Sequence, residues 1–202
     1  MDFIYEIENF LSPKECEEII YKFEQDHRKF SGTTAGGYNT ETKRSTDLFI
    51  SELNDWSYWD ELICKKINNA ISQYINYVEG CMKAKNIDFH TPGIFFNISD
   101  GGYKIQRLRK GEYYHWHEDF GRFCFNRMLT CVLYLNTLNE EDGGFTEFEC
   151  GRRIQPITGK MIMFPSTWNN YHRGETVLGK TKYIMTTFIL RTDEKLKNNN
   201  SM

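Results

Sequence analysis

The 202-residue sequence predicts a mainly β protein, a sandwich or jelly roll with two helices packed on its outside. Three observations carry this expectation: two amphipathic helical patterns in the first 80 residues, a change near residue 94 to short β-prone runs broken by turn signals, and no internal repeat. The length suits one domain with a substantial core. Its expected organisation is helical support with a substrate loop over 1–93, a jelly-roll core over 94–191, and a frayed tail over 192–202, where "KLKNNNSM" is low in complexity.

Ser12, Pro13 and Glu15 form a capping-box pattern with proline at the first helical position. Cys16, Ile19, Ile20 and Phe23 follow at i, i+3, i+4 and i+7, which predicts a helix with one apolar face. A second helix is expected from near Asp55, with Trp56, Trp59, Leu62, Ile63, Ile67, Ala70, Ile71, Tyr74 and Val78 as the stripe that packs on a sheet. Between them, "FSGTTAGGYNTETKRST" has little apolar content and reads as a mobile loop rather than an element. The β-prone runs are "GIFFNI", "YKIQRLR", "MLTCVLYLN", "RIQPI", "KMIMF" and "KYIMTTFIL", with Asp142-Gly143-Gly144 the strongest hairpin-type punctuation among them.

Composition narrows the partners. With 25 basic and 28 acidic residues the formal charge is -3, and no basic, aromatic-interleaved stripe favours nucleic acid or an anionic membrane surface. The opening "MDFIYEIENFLSPKEC" has neither a basic n-region nor an apolar h-region, and no later run reaches the length of a membrane span, so a cytoplasmic protein is expected. The six cysteines form no C-x-x-C pair and read as reduced thiols.

The stretch "YYHWHEDF" concentrates the chemistry. Residues two apart on a strand share a face, so His117 and Asp119 present an imidazole and a carboxylate to one side while Glu118 faces the other. His172 lies 55 positions on, far enough to come from another strand and close over the same point. Two imidazoles and a carboxylate on one face of an ion leave adjacent positions open, the arrangement that non-haem iron(II) oxygen chemistry uses. His115 shares the parity of His117, and periodicity does not separate the two. Along "MLTCVLYLN" the same parity places Thr130, Val132 and Tyr134 opposite Leu129, Cys131, Leu133 and Leu135; in "KYIMTTFIL" it groups Lys182, Ile184, Thr186 and Phe188.

The ordered set "GEYYHWHEDF", "RMLTCVLYLN", "DGGFTEF", "PITGKMIMFPSTWNNYHRG" and "GKTKYIMTTF" resembles the 2-oxoglutarate- and Fe(II)-dependent oxygenases, in particular their prolyl 4-hydroxylase-like branch. The resemblance covers roughly residues 100 to 190, and "IENFLSPKECEEII" is similar to the first helix of that branch. It implies a double-stranded β-helix, a cupin-like jelly roll, with His117, Asp119 and His172 as iron ligands. Lys182, ten positions after His172, is implied as the anchor for the distal carboxylate of 2-oxoglutarate, with Tyr134, Thr186 and Thr130 as further cosubstrate contacts. Gly111 and Tyr114 match the family's glycine and tyrosine before the ligand histidine and select His117; His115 is then a substrate contact at the mouth or a solvated side chain.

The implied cofactors are Fe(II), 2-oxoglutarate as cosubstrate and dioxygen, with ascorbate as a reductant. The implied reaction is hydroxylation of an unactivated C–H bond with decarboxylation of 2-oxoglutarate to succinate. A prolyl residue of a peptide or protein is the favoured substrate; the alternatives are a free amino acid or other small metabolite, and a non-catalytic binding module with a vestigial site. Residues 31–46 are the candidate lid, and Arg44, His115, Trp116 and Trp168 the candidate substrate residues. Leu108 stands where the family often has a tyrosine, Phe145 interrupts its Gly-Gly-Glu-Thr, and Phe188 replaces a tryptophan, so the pocket departs from the proline-specific pattern.

Overall fold

The computed structural model describes residues 2–34, 36–89, 95–121 and 124–192. In chain order its first half contains β1 (Tyr5–Ile7), α1 (Pro13–Gln25), β2 (Phe30–Ser31), β3 (Lys43–Arg44), β4 (Thr46–Phe49) and α2 (Ser57–Lys83). Then come β5 (Ile98–Asp100), β6 (Lys104–Leu108), β7 (Tyr113–His117), β8 (Arg127–Tyr134) and β9 (Thr146–Phe148). The last are β10 (Arg153–Ile154), β11 (Met161–Pro165), β12 (His172–Gly174) and β13 (Lys182–Arg191). They form two antiparallel sheets. The larger runs β1-β11-β8-β13-β6-β4-β2, with β5 also on β13; the smaller runs β10-β9-β12-β7-β3.

Helix α1 starts where the capping box requires: Glu15 N–H donates to Ser12 Oγ at 3.2 Å and Ser12 N–H to Glu15 Oε2 at 2.7 Å. Its buried face is Cys16, Ile19 and Phe23. Asp26, just past its end, accepts from Trp56 Nε1 at 2.9 Å and so pins α1 to the start of α2. Helix α2 buries Trp59, Ile63, Ile67, Ala70, Ile71, Tyr74 and Val78, with Trp56 immediately before it. Both helices pack on one face of the large sheet, against Leu129, Cys131 and Leu133 of β8, Met161 and Met163 of β11, and Met185 and Ile189 of β13. The alternate residues face the small sheet, where Val132, Tyr134, Ile162 and Phe164 meet Phe148 and Ile154. Period-two alternation in β8 thus separates a dry, helix-backed layer from the space between the sheets.

Several local expectations are corrected. Asp142-Gly143-Gly144 makes no hairpin, because β8 pairs with β11 and β13 whereas β9 pairs with β10 and β12, so the chain changes sheets here. Gly143 has φ +63°, and a Cβ there would lie 2.6 Å from the Thr176 carbonyl oxygen. Asp142 then accepts from the backbone N–H of Leu178 and, through its side chain, of Lys180, which fixes the approach to β13. The segment expected as a mobile loop contains β2, β3 and the first residue of β4, and Lys43 within it is buried. "RIQPI" contributes only Arg153–Ile154, since the backbone N–H of Leu138 donates to the Pro156 carbonyl from outside any strand. In "GIFFNI" the strand begins at Ile98; Gly93 and Ile94 lie outside the described residues, as does most of the expected tail, 193–202.

Among the described residues no helix is long and apolar enough to cross a membrane. Phe23 is fully buried, with its ring edge-on to Tyr183 at 6.2 Å, so it ties α1 to the large sheet. Phe23→Ala is expected to lower the unfolding free energy by about 3–5 kcal/mol, read as a lower urea midpoint with unchanged slope.

Candidate metal centre and cavity

Strand pairing brings the histidines together. His172, the first residue of β12, is the cross-strand partner of His117, the last residue of β7, and their ring centroids lie 4.2 Å apart. Strand β7 ends there, so Asp119 is not placed by strand parity. It is held instead from the opposite sheet: Thr130 Oγ1 on β8 donates to Asp119 Oδ2 at 2.7 Å, and Thr130 also bonds Ser166 Oγ at 2.9 Å. Arg127 Nη1 donates to the Asp119 carbonyl at 3.2 Å, and Phe120 N–H to the Ser166 carbonyl at 2.9 Å. His117 Nε2 then lies 3.7 Å from Asp119 Oδ1 and His172 Nε2 lies 3.5 Å from Asp119 Oδ2.

Each imidazole is oriented by its own backbone. His117 Nδ1 lies 2.8 Å from the His115 carbonyl and His172 Nδ1 lies 2.9 Å from the Asn170 carbonyl. A carbonyl accepts only, so both Nδ1 atoms carry hydrogen and both Nε2 lone pairs point at the shared centre. Tyr114 stacks on the His117 ring at 3.5 Å, and Phe164 meets the His172 ring edge-on at 4.9 Å. Burial and the neighbouring His172 push His117 down to about 3, so it is neutral at physiological pH. Burial works to raise the Asp119 pKa, but both histidines, the Thr130 hydrogen bond and Arg127 together hold it below the ordinary carboxylate value. The result is one carboxylate and two imidazole nitrogen donors within 4.8 Å of one another, the one such cluster of His, Cys, Asp or Glu among the described residues. This donor set fits a divalent iron and leaves the cavity side of the ion open.

The cavity between the sheets has a volume of about 280 Å³. Lys182, Ile184, Thr186 and Phe188 of β13 line it, as do Thr130 and Val132 of β8 and Lys104, Gln106 and Leu108 of β6. The small sheet adds Tyr114, His117, Thr146, His172 and Gly174. Lys182 is buried, and among the described residues no carboxylate pairs with it; burial pushes its ammonium down to about 8, against a weak pull upward from Glu175. Tyr134 is fully buried beside it, its ring 5.7 Å from Lys182 Nζ, and its hydroxyl donates to Thr146 Oγ1 at 2.8 Å. Thr186 accepts from Gln106 Nε2 at 2.8 Å, four residues along β13 from Lys182. Thr130 spends its hydroxyl hydrogen on Asp119 and so stands at the metal centre.

The candidate substrate residues lie outside this cavity. Arg44 is exposed, donates to the Thr40 carbonyl at 3.2 Å and covers the Tyr113 ring at 5.4 Å. His115 is exposed against Tyr113, Trp116 stacks on Tyr171 at 6.2 Å, and Trp168 is 75% exposed. Sequence reasoning missed Lys43, which sat in a presumed loop, and Lys104 and Gln106, which alternation along "YKIQRLR" could have placed beside Leu108 on the inward face.

Comparison with known proteins finds likeness in both sequence and fold. Residues 103–190 match the model of the 2OG-Fe(II) oxygenase superfamily. A mouse protein, 2-oxoglutarate and iron-dependent oxygenase domain-containing protein 3, is 34% identical over 87 residues, 40% of this chain and 26% of that protein. Its counterpart from Xenopus tropicalis is 34% identical over 82 residues, 37% of this chain and 25% of its own length. The chain thus spans about a quarter of the length of these curated relatives. Among solved structures, a Trichoplax adhaerens prolyl hydroxylase in complex with a hypoxia inducible factor peptide fragment superposes with TM-score 0.73 at 19% identity, covering 100% of this chain and 89% of that one. A viral collagen prolyl hydroxylase from Paramecium Bursaria Chlorella virus-1, in its 2OG complex, gives TM-score 0.65 at 21% identity over 94% of this chain and 97% of that one. The fold is therefore the double-stranded β-helix of the prolyl hydroxylases. Residues 103–190, a little under half of the chain, are similar in sequence to the 2OG-Fe(II) oxygenase superfamily.

Proposed function

We propose that this chain is a dioxygenase that hydroxylates a prolyl residue of a peptide or protein, with His117, Asp119 and His172 holding Fe(II) and Lys182 anchoring 2-oxoglutarate. The observation that carries the reading is that the three clustered donors and one buried, carboxylate-free lysine open into the same cavity. Bound there, Fe(II) supplies the oxidising chemistry that couples decarboxylation of 2-oxoglutarate to hydroxylation of a C–H bond. The chain's own residues supply the rest. The His115 and Asn170 carbonyls fix the imidazole tautomers, and Thr130 keeps the Asp119 carboxylate aimed at the ion. Lys182 offers a fixed charge to the distal carboxylate of a dianion entering a poorly solvated space, while Val132 and Ile184 limit water around it. The prolyl assignment is supported by likeness of fold to prolyl hydroxylases over nearly the whole chain. Of the cavity-lining residues, Leu108 pairs with Lys182 at the cosubstrate end and Phe188 shapes the substrate end.

The direct test is succinate release from 2-oxoglutarate with Fe(II), followed by mass detection of an added oxygen on prolyl peptides and on free amino acids. His172→Ala is expected to reduce succinate release to background, and turnover that survives it would falsify the metal assignment. Thr130→Val leaves Asp119 without its hydroxyl donor and is expected to weaken Fe(II) or Mn(II) binding by roughly 10- to 100-fold while the fold is retained by circular dichroism. Because Lys182 titrates near 8, 2-oxoglutarate affinity should fall as pH rises through about 8, since only the charged ammonium holds the carboxylate. Lys43 lines the same cavity and also titrates near 8, so the decisive comparison is Lys182→Gln: weaker binding whose remaining pH dependence has lost the Lys182 component.

A further inference from the structure

The cavity has a second cationic pole, at the end opposite the one proposed for 2-oxoglutarate. On β13, Lys182 marks one end; Lys104 pairs in register with Thr186, four residues on, and Arg127 stacks on Phe188 at 3.5 Å, two residues beyond that. At 3.3 Å per residue this second group lies about 13–20 Å along the strand from Lys182. Lys43 joins it from the small sheet, with Nζ 5.2 Å from the Tyr114 ring that stacks on His117. All three line the cavity beside the metal centre. The compensation is incomplete. Asp47, fully buried behind the wall, is the carboxylate for both lysines, with Oδ2 at 2.8 Å from Lys43 Nζ and 3.5 Å from Lys104 Nζ. Among the described residues no carboxylate side chain pairs with Arg127, whose polar contact is the Asp119 carbonyl. Asp119 belongs to the metal centre, and Glu118 lies exposed on the outer mouth, where water screens it. Outside the metal centre, where Arg127 helps to keep Asp119 ionised, three cations therefore face one carboxylate around the space left for substrate.

We infer that the substrate carries a carboxylate within a few atoms of the carbon that is hydroxylated, received by Lys104, Arg127 and Lys43. A neutral prolyl segment would leave two positive charges desolvated on binding, an unfavourable outcome that an anion reverses. The shared chemistry has two sources: an Asp or Glu side chain beside the target residue of a peptide, or the α-carboxylate of a free amino acid. The reaction balances as for the family, one oxygen atom of dioxygen entering the substrate C–H bond and the other the new carboxylate of succinate, with carbon dioxide leaving. This inference rests on the oxygenase reading above and narrows its substrate.

The test exposes the wild-type protein with Fe(II) and 2-oxoglutarate to a randomised peptide library centred on proline, and separately to free amino acids and their amides, with succinate and added oxygen read by mass. Enrichment of Asp or Glu within two positions of the oxidised residue supports the peptide source; oxidation of a free amino acid but not its amide supports the other. Lys104→Glu should lower kcat/KM for the acidic substrate by roughly tenfold or more, and Lys104→Arg should restore it. A melting curve confirms that each variant is folded. Succinate release without any preference for acidic over neutral or amidated substrates, or a preference untouched by Lys104→Glu, overturns this proposal alone. Absence of succinate release overturns the oxygenase reading with it.

Discussion

The site depends on one constraint: a carboxylate must be kept ionised between two imidazoles in a largely buried space. An isolated buried carboxylate would take up a proton. Asp119 avoids this because Thr130 reaches it from the opposite sheet and Arg127 and Phe120 secure the backbone around it. Thr130 in turn bonds Ser166, so one polar chain spans the two sheets at the depth of the histidines. The sheet separation, the register of β7 with β12 and the charge state of Asp119 are coupled. A slip of one residue in that register would turn either His117 or His172 to the other face.

What the sequence made legible was alternation; what it hid was pairing. The faces of β8 and β13 follow from period-two patterning, because the helix-backed side demands Leu129, Cys131, Leu133, Met185 and Ile189 while the cavity side tolerates Thr130, Thr186 and Lys182. The capping box of α1 was equally plain, since Ser12 and Glu15 satisfy each other locally. Strand β3 was not, because a two-residue strand with the sequence Lys-Arg exists only through its pairing with Tyr113 and Tyr114, 70 positions away. The same blindness concealed Lys43 and turned the Asp142-Gly143-Gly144 crossing into an expected hairpin. The clustering of His117, Asp119 and His172 was readable, though Asp119 for an incomplete reason: parity suggested its direction, while Thr130 supplies it.

The helices matter to the chemistry although they never touch it. Strand β13 carries Lys182, Ile184 and Thr186 on one face and Met185 and Ile189 on the other, so the position of the lysine is set by how firmly the opposite face is packed. Phe23, Tyr74 and the α2 stripe provide that backing. Gly159 secures the N-terminal segment to the turn before β11: its carbonyl accepts from Leu11, and a Cβ there would lie 2.1 Å from the Leu11 carbonyl oxygen. Side chains that present charge to a cavity can be placed to a fraction of an ångström only if the layer behind them is close-packed.

Cations at both ends of the cavity raise the question of what orients 2-oxoglutarate, since attraction alone would draw a dianion to either. The difference lies in compensation. Lys43 and Lys104 share Asp47, and Arg127 is stacked on Phe188 in a partly open position, so each already has a share of its charge satisfied. Lys182 is as buried as Lys43 but has no carboxylate partner among the described residues. A dianion relieves more unfavourable desolvation there than at the other pole. On the proposed reading, that end takes 2-oxoglutarate and the cations shared with Asp47 or stacked on Phe188 are left for the substrate.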